Sequence, residues 1–281
     1  MSALYQSSSV TNLINTGTLT INKPSGTVDG DLMIAIIHLN YNPGVITINA
    51  PAGWTSIRNT DSGVSGARSY IRSYRKTASS EGSSYDWTTT GGNPAAWGGA
   101  ILRITEFNTT TPILTSNGAG TSGGSATNLT FADTVTPTSG YQLILFPVVA
   151  ESATGTMSSY AVTTSDPTWT ELYDNNSTGN TIMSLAYATR VESTATGDSS
   201  VTCTGTVESW AAQKIVIDRL YSFSVTISDS TTASDTATNM VGFVNTHTES
   251  ITGTDTLTVE EQKMWATVNK STTTWINQDK T

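Results

Sequence analysis

The chain has 281 residues and a formal net charge of −9, and only 12% of its residues are charged. Its 35 serines and 53 threonines make hydroxyl side chains nearly a third of the sequence. Threonine favours strands, serine and glycine favour turns, and the helix formers Glu, Lys and Arg are scarce, so the composition predicts an all-β protein and excludes long helical bundles and coiled coils.

Several function classes are not expected from the same observations. A pI near 4.6 without a basic run argues against a nucleic-acid partner. Residues 1–13 carry neither a basic n-region nor an apolar h-region, so we expect no signal peptide and synthesis in a cytoplasm. The longest purely apolar run, Leu32–Ile37, is too short to span a membrane. Cys203 is the single cysteine, so no disulfide framework, thiolate metal cluster or other cofactor is expected.

An internal duplication organises the chain. Four anchor residues, Gly, Trp, Tyr and Trp, recur in the same order with spacings of 24, 20 and 23 residues in the first copy and 29, 18 and 23 in the second. The anchors are Gly30, Trp54, Tyr74 and Trp97, and then Gly140, Trp169, Tyr187 and Trp210. Each copy has short apolar runs separated by turn-rich segments, which is typical of a β-sandwich of the jelly-roll kind.

The repeat predicts four segments in chain order. Residues 1–110 form a first β-sandwich, residues 111–127 a linker rich in Gly, Ser and Thr, and residues 128–221 a second β-sandwich that repeats the first. Residues 222–281 form a C-terminal docking or oligomerisation segment of strand and helix. Residues 32–39 and 143–149 are apolar at successive positions, so both strands should be covered on two faces. Pro147 predicts an edge strand or a bulge.

The C-terminal segment has two local signals. Residues 222–228 alternate with period 2, which predicts a strand with one buried face. Residues 258–261 read Thr-Val-Glu-Glu, a capping-box pattern that predicts a short helix through Val268. The segment also contains Trp265 and Trp275 but is too short for a core of its own, so we expect both tryptophans to contact a partner.

One strand carries the chain's basic and aromatic residues. Period 2 places Tyr70, Arg72, Tyr74 and Lys76 on one side, with Arg58 and Arg68 nearby. This side is interpreted either as a surface for a protein partner or as a solvated face whose arginine stems lie along apolar surface.

The remaining candidates have weaker patterns. Trp87 does not recur in the second copy, so it is the best candidate for an exposed contact, including one that stacks on a sugar ring. The recurring tryptophans are interpreted as core. His38 is interpreted as a buried histidine, and Asp29 and Asp31 as turn residues rather than calcium ligands. No pair of carboxylates is placed in one cleft by any sequence pattern.

Four motifs carry a family resemblance. They are Gly-Thr-Val-Asp-Gly-Asp-Leu at 26–32, Pro-Ala-Gly-Trp-Thr at 51–55, the basic and aromatic strand at 70–76, and Tyr-Asp-Trp-Thr at 85–88. Together they resemble β-sandwich modules of tailed-bacteriophage virion proteins. The resemblance implies a non-enzymatic structural protein on the outer surface of the particle: a capsid decoration or cement protein, a head fibre or a tail component. It also implies homo-oligomers docked on other virion proteins.

Two other functions are carried as alternatives. The first is an adhesin module that binds a glycan on the host surface. The second is a glycan-degrading enzyme, which would need two carboxyl groups close together in one cleft.

Overall fold

The computed structural model describes residues 4–41, 46–63, 68–132, 136, 142–152, 155–162, 168–177, 181–190 and 195–219, together with strand residues 222–223, 225–228, 240–241 and 256–259. The described residues form strands and connections without a helix, which confirms the all-β class. The chain divides into two compact units, Met1–Arg219 and Leu220–Thr281.

Two sheets come from the first part of the chain. The strands are β1 (Tyr5–Ile14), β2 (Thr18–Asn22), β3 (Leu32–Tyr41), β4 (Thr47–Asn49), β5 (Thr55–Asp61), β6 (Arg68–Thr77), β7 (Ser84–Thr90) and β8 (Ala96–Ile104). A five-stranded antiparallel sheet has the order β1-β8-β3-β6-β5, and a three-stranded sheet has the order β2-β7-β4. We call these the first sheet and the covering sheet.

The next part of the chain forms a third sheet. Its strands are β9 (Ile113–Phe131), β10 (Gln142–Glu151), β11 (Met157–Val162), β12 (Thr170–Ser177), β13 (Thr181–Arg190) and β14 (Ser199–Asp218). The order is β11-β14-β10-β13-β12, and β9 pairs along β14. We call this the second sheet. Its path β9-β14-β10-β13-β12 matches the path β1-β8-β3-β6-β5 of the first sheet.

The first and second sheets share one core. A single apolar cluster joins Ile34 and Leu102 of the first sheet to Leu145, Leu185 and Ile215 of the second. The opposite face of the first sheet packs on the covering sheet in a separate cluster. Residues 1–219 are therefore a layered unit, which differs from the expected pair of sandwiches with separate cores.

Residues 111–127 are largely strand rather than linker, because β9 runs from Ile113 to Phe131 and pairs with β14. Their glycines serve a close approach. A Cβ atom on Gly118 would collide with the Thr60 side chain, and one on Gly120 would collide with the Asp61 carbonyl of β5. The glycines that predicted a flexible linker here instead let the backbones of β9 and β5 approach closely.

Burial confirms that β3 and β10 are covered on both faces, since residues 32–40 and 142–150 are all buried. The position of Pro147 was predicted wrongly: β10 is a central strand between β13 and β14, and no register shift is found in either ladder. Residues paired with β14 run from Gln142 to Leu145 and again from Val148 to Glu151. Pro147 lies in the gap between these two stretches of β10, where its missing N–H costs no hydrogen bond to β14.

The second unit has two small ladders. Its strands are β15 (Ser222–Phe223), β16 (Val225–Ser228), β17 (Met240–Val241) and β18 (Thr256–Val259). Strand β15 pairs with β17, and β16 pairs with β18. Thr258 and Val259 are strand, so the helix does not open where the capping box predicted it, and residues 260–268 lie outside the described residues. In the described part of the chain, no helix has the length and apolar character to cross a bilayer.

Candidate functional site

The basic and aromatic side of β6 is covered rather than open. Tyr70 is 2% exposed and Tyr74 is 7% exposed, and both belong to the cluster between the first sheet and the covering sheet. Period 2 placed them together correctly, but no pattern in the sequence predicted that β2, β4 and β7 would lie over them. The predicted partner surface is therefore corrected at these two tyrosines.

The cations of that side are used within the chain. Arg72 lies 5.1 Å from the centre of the Tyr70 ring and donates from Nη1 to the Thr60 carbonyl at 2.8 Å. Burial lowers the pKa of Arg72, and the negative charge of Asp61 partly offsets this by raising it. Lys76 forms an ion pair of 2.7 Å with Glu81.

Arg58 also has a structural partner. Its Nη2 donates to the Ser116 carbonyl at 2.6 Å, and its Nε donates to the Ser116 hydroxyl at 3.2 Å, so it joins β5 to β9. The side chain of Arg68 lies outside the described residues. Six residues were predicted to form one contact surface. The five whose side chains are described do not form an open basic face.

Trp87 was predicted wrongly as an exposed contact. Its side chain is 0% exposed, and its ring centre lies 5.3 Å from that of Trp54 and 5.0 Å from that of Tyr74. Trp87 does not recur because it belongs to β7 of the covering sheet. Trp265 and Trp275 lie outside the described residues.

His38 lies in the core shared by the two large sheets. It is fully buried, and its Nδ1 is 3.5 Å from the Tyr173 hydroxyl of β12. Burial lowers the pKa of His38 from 6.5 to about 3, so the ring is neutral at physiological pH. Cys203 is buried, and burial raises the pKa of its thiol. Both groups are packed as ordinary core residues.

The acidic pair before β3 stabilises a turn. Asp31 accepts hydrogen bonds from the Val28 N–H at 2.9 Å and from Arg103 Nε at 2.6 Å. Asp29 accepts from the Ser80 N–H at 2.7 Å. Across the described ranges, His, Cys, Asp and Glu side chains form no group of three or more that could hold a metal ion.

Two carboxyl groups on β12 have raised pKa values. Burial is the main cause of the rise to about 6 in the pKa of Asp174, and the charge of Glu171 adds to it. The pKa of Glu171 is also raised by burial. Asp174 Oδ2 accepts from the Met157 N–H at 2.7 Å at the start of β11.

A polar cleft lies at the end of the first sheet where β3 begins and β6 ends. Its volume is about 250 Å³, and its wall is completed by the connection between β8 and β9. The polar lining comes from Thr55, Arg75, Lys76, Thr77, Thr109 and Thr110. Leu32 and Pro112 supply apolar surface.

Sequence reasoning missed this cleft. Arg75 has the opposite parity to Tyr74 and Lys76, so it was left out of the predicted surface. Thr109 and Thr110 are two of many threonines in a turn-rich connection. No signal in the sequence brings them to Arg75, because their proximity depends on how that connection crosses the sheet.

Comparison of the chain with known families, with curated proteins and with solved structures gives no match.

Proposed function

We propose that the chain is a non-enzymatic structural protein on the outer surface of a tailed-bacteriophage particle. Residues 220–281 dock on the capsid or tail, and residues 1–219 form the displayed unit. The motifs at 26–32, 51–55, 70–76 and 85–88, which resemble virion β-sandwich modules, motivate the proposal.

The observation that carries the docking role is the small size of the described ladders of the second unit. Strands β16 and β18 pair over four residues, and β15 and β17 over two. A two-stranded ladder is marginally stable in water unless a third strand or another element packs on it. The register sets Val225 opposite Val259 and Ile227 opposite Leu257, and residues directly opposite each other share a face of the ladder.

The residue types at these four paired positions are all apolar, and a symmetric lattice of neighbours would cover them. Other virion proteins or further copies of this chain are the partners that the proposal names. Many weak contacts repeated by symmetry give high avidity, so each docking contact can be small. The displayed unit, by contrast, supplies its own core within residues 1–219.

The test uses particles purified from the cells that produce the chain. Full-length chain should copurify with the particles, whereas a chain truncated after Arg219 should not, and its melting curve should show that residues 1–219 still fold. Normal incorporation of the truncated chain would overturn the docking role, and absence of the full-length chain from particles would overturn the virion assignment.

A matched pair of variants locates the contact on β16. Ile227→Asp places a charge on the apolar face and should abolish incorporation, whereas Thr226→Asp places the same charge at the neighbouring position of opposite parity and should be tolerated. Equal incorporation of both variants would contradict docking through this face.

A further inference from the structure

The cleft at the end of β6 contains an arginine, Arg75, in its wall. Arg75 is half-buried, and its side chain makes no hydrogen bond or ion pair with the described residues. A half-buried guanidinium without an anion or carbonyl partner can form charge-assisted hydrogen bonds with a ligand that enters the cleft.

Every other arginine whose side chain is described has a partner. Arg58 bonds Ser116, Arg72 bonds Thr60, Arg103 bonds Asp31, Arg190 bonds Ala195, and Arg219 bonds Glu106. Arg75 is therefore the exception among the arginines whose side chains are described. A charge maintained in this way indicates a partner that comes from outside the chain.

The walls of the cleft are held in place before any ligand arrives. Asn108 Oδ1 accepts from the N–H groups of Thr110 and Thr111 at 3.0 and 3.1 Å, and Asn108 Nδ2 donates to Asp218 at 2.9 Å. On the other wall, Lys76 is fixed by its ion pair with Glu81. A preorganised site spends little of its binding energy on ordering side chains.

The chemistry of the lining identifies the class of ligand. The planar guanidinium fork matches a carboxylate bidentately, and four threonine hydroxyls can each donate and accept hydrogen bonds. The ligand should therefore combine one anionic group with several hydroxyls. A volume of about 250 Å³ is below the usual range for drug-sized ligands, roughly 300–1,000 Å³, and suits a single sugar ring.

We propose that this cleft binds one acidic sugar residue, with its carboxylate on Arg75 and its hydroxyl groups on the threonines at positions 55, 77, 109 and 110. The site belongs to the displayed unit of residues 1–219 and would let the particle surface hold an acidic glycan. It does not depend on docking by residues 220–281, so either proposal can fail without the other.

The experiment is a calorimetric titration of the full-length chain at constant ionic strength with D-glucuronate, D-glucose and acetate. Glucuronate should bind in the millimolar range, and the other two at least about tenfold more weakly, because each offers only half of the required chemistry. Acetate binding as tightly as glucuronate would reduce the site to a general anion site and overturn the proposal. Absence of saturable glucuronate binding at tens of millimolar would do the same.

Variants assign the site within the chain. Arg75→Gln should weaken glucuronate binding about 10- to 100-fold, as expected for loss of a charge-assisted bidentate contact. Thr110→Val should weaken it by a smaller factor, which keeps the test open if one variant folds poorly. Arg103→Gln removes the same charge from β8, outside the cleft, and should leave the affinity unchanged. Equal loss in Arg75→Gln and Arg103→Gln would mean a general charge effect and would contradict the assignment.

Discussion

The two large sheets of the 1–219 unit have matching strand orders but are covered differently. The first sheet packs the second sheet on one face and the three-stranded covering sheet on the other. The second sheet has no separate covering sheet among the described strands, and its outer face packs residues such as Phe146, Val201 and Trp210 around β9, β11 and the first part of β14. The repeated part of the sequence thus corresponds to the sheets, and the part that does not repeat corresponds to their covers.

The two edge strands next to β8 and β14 show the same contrast. Strand β1 is rich in serine and threonine and carries no glycine, whereas β9 contains four glycines. Strand β9 lies against β5 as well as β14, and the contacts predicted for Cβ atoms at positions 118 and 120 show why side chains are absent there. Strands β1 and β9 are therefore equivalent edge strands that require different residues, because β9 also packs against β5.

The largest expected effect comes from the covering sheet. Trp87→Ala removes a fully buried indole from the cluster with Trp54 and Tyr74 and should lower the free energy of unfolding by about 3–5 kcal/mol. Trp169 is half-buried against Phe146 on the outer face of the second sheet, and Trp169→Ala should cost clearly less. Chemical denaturation of the two variants measures the difference, and equal losses would contradict the distinction between the covers.

A smaller effect tests the close approach of β9 to β5. Gly120→Ala should lower the free energy of unfolding by about 1–3 kcal/mol, because the new methyl group meets the Asp61 carbonyl and forces a backbone shift. Gly82→Ala is the control, since its methyl group would meet no atom nearer than 3.9 Å. Were residues 111–127 a free linker in solution, both variants would melt at the temperature of the unmodified chain.

A third effect concerns the core between the two large sheets and grows as the pH falls. Because the pKa of His38 is about 3 when folded and 6.5 ordinarily, the unfolded chain binds the extra proton between these values, and stability is lost as the pH falls below about 6.5. The limiting slope is about 1.4 kcal/mol per pH unit. Asp174, with a pKa raised from 3.8 to about 6, contributes the opposite sign between those values.

The measurement compares unfolding of the unmodified chain and of His38→Leu at several pH values between 7 and about 4. The contribution of Asp174 is common to both chains, so the difference in slope belongs to His38. Parallel pH profiles would contradict a neutral, buried His38.

Apolar periodicity and composition predicted the strands correctly, but they did not predict which layers cover those strands. The alternation in residues 70–76 and the apolar runs at 32–39 and 143–149 gave correct strands and correct shared faces, since these depend on neighbours in the chain. Trp87, Pro147 and the glycines of β9 were misread because their environment comes from strands distant in sequence. Arg75 was missed for the same reason, as its cleft is completed by Thr109 and Thr110 from another connection.

The central structural claim is that residues 1–219 fold as one unit around a core shared by the first and second sheets. Scanning calorimetry of a chain ending at Arg219 tests it most directly. One transition is expected, with calorimetric and van't Hoff enthalpies that agree, as for a single cooperative unit. Two resolved transitions, one for each repeat, would show separate cores and contradict it.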